Sequence, residues 1–216
     1  MGKLSVVIQA GGESRRMGRP KPLVAFCGAP LVCRARKRLH KIADEMIITS
    51  NDPQSLDFIH CCTAIPDQPT RIVTDILPER SALGGIYTAL HYAQYEYVAI
   101  VACDMVFPSA PLLKGELSLL EAQHADIAVP WSKHGYEPFH AVYRKATCEG
   151  VVERHLAYGD QRATAFYEEM NVIKVTPPEV LQFEPRGGAF INVNRPEELI
   201  DMERRVWTRH MHKLTD

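Results

Sequence analysis

The feature that most constrains this chain is an alternation in which short runs rich in β-branched residues are separated by longer amphipathic stretches. Runs at 4–9, 45–49, 71–74, 97–102, 126–129 and 172–175 read as strands, and stretches at 30–42, 84–93, 110–124, 148–157, 163–170 and 196–210 read as helices. Several strand runs, such as Tyr97-Val98-Ala99-Ile100-Val101-Ala102, are apolar at nearly every position, which suits strands covered on both faces. Strand, crossover helix and strand in succession specify an α/β fold with three layers, a mostly parallel sheet between two layers of helices. Pro30 and Pro196 suit first helical turns, where a missing N–H costs no hydrogen bond. The segments 131–144 and 176–188 break the rhythm and read as an insertion edge or lid. The chain, 1–216, is expected to form a single domain.

Composition narrows the function classes. With 46% hydrophobic and 24% charged residues the chain can bury a sizeable core. Its 25 Lys and Arg against 26 Asp and Glu give a formal net charge of −1, so no global positive field recruits nucleic acid. No apolar run reaches the roughly 20 residues of a membrane span, and the opening run is too short for a signal peptide, so a cytoplasmic protein that meets no membrane is expected. The six cysteines include no Cys-x-x-Cys pair, which argues against structural zinc and reads most of them as small buried hydrophobes. His134, His140 and His155 stand at unsupported spacing and are assigned no role. The aromatics Trp131, Tyr136, Phe139 and Tyr143 allow two readings, an aromatic wall for a flat ligand ring and the packed core of an edge hairpin, and the second is favoured because aromatics bury large areas wherever they fall.

Anionic ligands must then be held locally, and the first strand runs straight into a loop able to do so. Gln9-Ala10-Gly11-Gly12 places two glycines at the carboxyl end of a strand, where open α/β sheets bind ligands and where backbone N–H groups can approach phosphate oxygens. Arg15, Arg16, Arg19 and Lys21 concentrate four positive charges between positions 15 and 21. The spacing is neither the dinucleotide-binding Gly-x-Gly-x-x-Gly nor the P-loop, yet the combination points to a polyphosphate. A second strand ends on Cys103-Asp104-Met105, where one carboxylate could hold a hard divalent cation bridging phosphate oxygens. A third closes on Thr74-Asp75 and is followed by Ser81-Ala82-Leu83-Gly84-Gly85-Ile86, whose glycines admit a flat base.

The run from Ala10 to Leu23, Asp75 with Leu83-Gly84-Gly85-Ile86, Cys103-Asp104-Met105, and Ala189-Phe190-Ile191-Asn192-Val193-Asn194-Arg195-Pro196-Glu197-Glu198-Leu199 resemble, in order and spacing, the molybdenum cofactor guanylyltransferases. These belong to a wider group of nucleotidyltransferases with a Rossmann-like fold. The resemblance implies a GTP pocket made by Gln9, Ala10, Gly11, Gly12, Lys21, Asn51, Asp75 and Gly84, with Mg2+ on Asp104 and with Asn192 and Asn194 towards molybdopterin. It makes Lys21, Arg16 and Asp104 the catalytic set. It also implies molybdenum-insertion proteins and molybdoenzyme chaperones as candidate partners. The sequence departs from the family pattern at three places: Gln9 replaces the usual Leu, Pro20 precedes Lys21 as in cytidylyltransferase relatives, and Leu77-Pro78-Glu79-Arg80-Ser81 replaces a glycine and proline segment. Cytidylyl or other nucleotidyl transfer, to molybdopterin or to a sugar or lactyl phosphate, therefore stands as the alternative reaction. A catalytically silent nucleotide-binding subunit stands as the alternative class.

Overall fold

The computed structural model describes residues 2–11, 20–59, 69–77 and 81–215, with side chains to residue 208. Among these residues the strands are β1 (Leu4–Gln9), β2 (Ala25–Phe26), β3 (Ala29–Pro30), β4 (Glu45–Thr49), β5 (Thr70–Val73), β6 (Tyr97–Ala102), β7 (Ile127–Ser132), β8 (Gly135–Tyr136), β9 (His140–Arg144) and β10 (Val172–Val175). The α-helices are α1 (Leu31–Leu39), α2 (Ala82–Tyr92), α3 (Ala110–Ala122), α4 (Lys145–Ala157), α5 (Pro177–Phe183) and α6 (Pro196–Thr215). The main sheet has the order β10-β7-β9-β6-β1-β4-β5, with β8 paired to β7. Its neighbours are parallel except where β9 meets β6 and β7 and where β8 meets β7. None of the helices among the described residues is long and apolar enough to cross a membrane.

Alternate side chains of a strand point to opposite faces, and β1 uses both. Leu4, Val6 and Ile8 pack with Val32, Ala35 and Leu39 of α1 and Leu113, Leu117 and Leu120 of α3. Val7 turns the other way, towards Leu83, Ile86 and Leu90 of α2 and Val152 of α4. This produces the three layers. The register sets Gln9 level with both Thr49 and Ala102, so the loops after β1, β4 and β6 open at one edge of the sheet. Because β9 runs the other way, with His140 opposite Val101, the residues that precede it reach that same edge. At the opposite edge the buried Glu45 accepts from Ser5 Oγ at 2.6 Å, Arg71 at 2.7 Å and the Gln94 amide at 2.9 Å, which satisfies a carboxylate that burial alone would destabilise.

Four expectations are corrected. The segment 131–144 is no edge or lid: β7 continues to Ser132, and β9 lies in the interior of the sheet between β7 and β6. His140, Ala141, Val142 and Tyr143 are all fully buried, and a strand covered on both faces lacks the alternation that advertises a half-exposed one. The stretch 163–170 is not a helix but a set of turns with one 3-10 turn at Tyr167–Glu169. Buried Ala163, Phe166 and Tyr167 reproduce helical spacing through tight turns. The segment 176–188 contains α5, whose start is capped by Thr176 and Glu179, with Pro177 in the first turn. Pro30 precedes α1 as its cap rather than entering its first turn, whereas Pro196 is the first residue of α6.

Cys103 and Cys148 are buried as expected, Cys27 and Cys33 are half-buried, and Cys61 and Cys62 lie outside the described residues. The hairpin aromatics pack as core: Tyr136 meets Trp131 and Tyr167 edge-on, and the Tyr143 and Tyr167 hydroxyls are 2.9 Å apart.

Two predictions concern stability. A Cβ at Gly115 of α3 would sit 2.5 Å from the Phe183 ring of α5. Gly115→Ala, which in an exposed helix gains about 1 kcal/mol, should here lower the urea unfolding free energy by about 1–3 kcal/mol through overpacking. His155 bonds Asp160 at 2.7 Å and Glu169 at 2.8 Å, and these hydrogen bonds hold its pKa above the ordinary value. A folded-state pKa raised above the unfolded one gives stability that is present in full below the unfolded pKa of about 6.5 and lost as pH rises through the raised value. The difference in melting temperature between wild type and His155→Ala should therefore be larger at pH 6 than at pH 9.

Candidate active site

The site begins where β1 ends. Ala10 N–H donates to the Thr49 carbonyl at 2.9 Å and Cys103 N–H to the Gln9 carbonyl at 3.0 Å, so ladder hydrogen bonding continues beyond the last residue of β1. A Cβ at Gly11 would lie 2.8 Å from Asp75 Oδ2 and 3.3 Å from Asn51 Nδ2. Only glycine lets the loops after β4 and β5 close this tightly on the first loop. Pro20 leads into a 3-10 turn at Lys21–Leu23, and Lys21 Nζ meets Asp104 Oδ2 at 2.7 Å and Asn194 Oδ1 at 2.6 Å.

Asp104 stands in the turn that follows β6, closed by Met105 N–H on the Ala102 carbonyl at 3.2 Å. A distant segment is fastened to this turn. Val106 N–H donates to Ile191 O at 3.0 Å, Val193 N–H donates to Asp104 O at 3.1 Å, and Met105 bridges Asn192 in antiparallel fashion. Glu198, in the first turn of α6, accepts from the amides of Asn194 and Arg195 at 2.8 and 3.2 Å, a cap that holds Asn194 in place.

A cleft of about 330 Å³ opens at this edge. Gln9, Ala10, Gly11, Lys21, Asp104 and Asn192 line it, as do Ala102, Cys103, Met105, Glu137, Pro138 and Phe139. Asn194 touches Lys21, and Asn51 and Asp75 flank Gly11. Gly84 lies deeper: it is buried in the first turn of α2 and its N–H is taken by Ser81 Oγ at 2.9 Å. The Gln9 carboxamide rests against α2, where a Cβ on Gly85 would come within 2.7 Å of Oε1, and its enclosed Nε2 has no hydrogen-bond partner among the described residues. Arg16 and Gly12 lie outside the described residues.

The structure thus brings most of the expected residues to one edge, and it adds Glu137 and Phe139. Phe139 packs against the core as expected and also turns a face to the cleft, the less favoured of its two readings, while the sequence gives Glu137 no role because β9 is not recognisable there as a strand that starts at this edge. His140 is fully buried and accepts the Ser109 amide at Nε2 at 3.0 Å, while His155 is bound by two carboxylates, so both have structural partners.

Opposite charges, Lys21 and Asp104, meet at this edge of the cleft. Asp104 and Asn194 turn two oxygens on the Lys21 ammonium, the donor type that a hard cation such as Mg2+ takes. The Cys103 thiol beside them is pushed far up, first by burial and then by the Asp104 charge, so it is no nucleophile at neutral pH.

A family model described as the MobA-like NTP transferase domain matches residues 6–174. The chain is 33% identical over 198 residues to a probable molybdenum cofactor guanylyltransferase of Natranaerobius thermophilus, covering 91% of this chain and 93% of that protein. It is 32% identical to the molybdenum cofactor guanylyltransferase of Desulfosudis oleivorans, covering 92% and 94%. Among solved structures, molybdopterin-guanine dinucleotide biosynthesis protein A from Archaeoglobus fulgidus superposes with a TM-score of 0.78 at 21% identity, over 94% of this chain and 99% of that one. A 4-diphosphocytidyl-2C-methyl-D-erythritol synthase from Anaerococcus prevotii gives 0.72 at 15% identity, over 95% and 99%, a likeness of fold.

Gly11→Ala should displace Asp75 and Asn51 from the first loop. The variant is expected to fold and to lose most of the rise in melting temperature that a nucleoside triphosphate gives the wild type. An unchanged rise would show that this close packing has no part in nucleotide binding.

Proposed function

This chain belongs to the MobA-like NTP transferase family, and from that premise we propose that it transfers GMP from GTP to the phosphate of molybdopterin, releasing pyrophosphate. The observation that carries this reading is Lys21 Nζ held between Asp104 and Asn194 at the mouth of the cleft. Three segments far apart in sequence converge there on a single cation.

The acceptor oxygen belongs to a phosphate monoester whose second pKa is about 6, so it is ionised near neutral pH and needs no general base. The cleft accordingly works by position and charge. Gly11, against Asp75 and Asn51, lets the triphosphate approach the backbone, and Lys21 offsets negative charge as the two phosphates meet. The acceptor oxygen bonds to the α-phosphorus while the bond from that phosphorus to the bridging oxygen breaks, and pyrophosphate departs with the electron pair. Asp104, with Asn194 beside it, is the residue that would hold Mg2+, whose charge helps neutralise the triphosphate. Arg16 would add a further positive charge. This reading puts the reaction in the cytoplasm, with molybdenum-insertion proteins and molybdoenzyme chaperones as candidate partners.

Pyrophosphate release with GTP, molybdopterin and Mg2+ tests the reaction, with CTP in place of GTP as the comparison. The reading expects GTP to support turnover and CTP to be poor. Lys21→Ala and Asp104→Ala should each stay folded and lose about a hundredfold or more in kcat. Near-normal turnover in both variants, or a preference for CTP, would overturn it.

A further inference from the structure

Among the described residues, the cleft contains one acidic side chain that the reaction as described does not use. Glu137 sits between β8 and β9 and lines the cleft beside Phe139. Its carboxylate forms no hydrogen bond or ion pair among the described residues. A carboxylate facing phosphates weakens their binding, unless the ligand also brings N–H donors to meet it.

The order of strands says which ligand that is. Along the open edge the loops stand in the order β9, β6, β1, β4, β5. Asn51 and Asp75 follow β4 and β5, Gly11 follows β1, and Lys21 joins Asp104 after β6. A nucleotide held on the first loop extends from Asp104 towards β5, and Glu137 with Phe139 lies across Asp104 on the remaining side. Strands about 4.8 Å apart make the distance from β9 to β5 about 19 Å, room for two nucleotide-sized groups joined at a phosphate.

Resting on the proposed transfer to molybdopterin, the geometry points to Glu137 as the residue that recognises the acceptor's heterocycle. A pterin presents a ring N–H next to an exocyclic amino group, two parallel donors that match the two oxygens of a carboxylate. Phe139 supplies an aromatic wall beside the same ring. In this half-buried place a charged pair of hydrogen bonds outweighs the same contact in water. The site therefore discriminates by the amino group: a 2-oxo pteridine puts an acceptor where the carboxylate needs a donor.

The test uses the intrinsic fluorescence of free pterin and of lumazine, its 2-oxo analogue, titrated against the full chain with and without GTP. Wild type should bind pterin at least about tenfold more tightly than lumazine, the scale of a charged hydrogen bond. Glu137→Gln and Glu137→Ala should bring the two ligands to within about twofold while leaving the GTP-induced rise in melting temperature intact. Equal binding of both pteridines by wild type, no pterin binding by wild type, or discrimination that survives in both variants overturns the assignment. So does loss of the GTP-induced rise with pterin binding preserved, which would assign the carboxylate to guanine. Discrimination that depends on Glu137 in a protein that releases no pyrophosphate from GTP and molybdopterin would retain this recognition site and remove the transfer reaction. Normal turnover and KM for molybdopterin in Glu137→Ala would do the reverse.

Discussion

The parallel pairing of β1 with β4 and β6 is the constraint on which the rest depends. It brings Gln9 level with Thr49 and Ala102, so chain segments that leave three neighbouring strands must turn within a few ångströms of one another. The apolar side chains that hold this register, Val6, Val7 and Ile8 with Ile47, Ile48 and Ile100, are fully buried. A shift of one residue would turn each of them to the wrong face. Packing energy thereby fixes the positions of polar groups that make no contribution to the core.

What collects at that edge is a balance of charge rather than a reactive side chain. The Lys21 and Asp104 pair is about one-fifth exposed at each partner, so it is accessible to a ligand yet partly withdrawn from water. Cys103, the nearest thiol, is kept protonated by burial. The polar groups of this edge therefore suit chemistry in which the substrates bring their own nucleophile and leaving group.

The fold was largely readable because most of its strands are regular and continuous. Residues 4–9, 45–49, 97–102 and 172–175 read as strands with the bounds they have in the structure, and α3 and α4 lie where their periodicity placed them. The first loop drew attention because two glycines and four basic residues coincide there, whereas Asp104 alone reads equally well as a turn former and gained weight only beside that loop. β9 was hidden by its burial on both faces, and the turns at 163–170 imitated a helix through the spacing of Ala163, Phe166 and Tyr167. The cost fell on the site. With β9 unplaced, nothing in the sequence could show that Glu137 and Phe139 stand beside Asp104. The Lys21 contact with Asn194 was equally out of reach, since it depends on how 191–193 is laced to 104–106.

That contact has a temporal side. Lys21 precedes Asp104 by 83 positions and Asn194 by 173, and the turn around Asp104 takes its remaining backbone partners from 191–193. Synthesis runs from the amino end, so a ribosome has made nearly all of the sheet before the oxygens that surround the ammonium can come together. A nascent chain that has not yet reached Ile191 holds both Lys21 and Asp104 but lacks Asn194 and the segment that laces the Asp104 turn, so the clasp is among the last parts of the molecule to be completed.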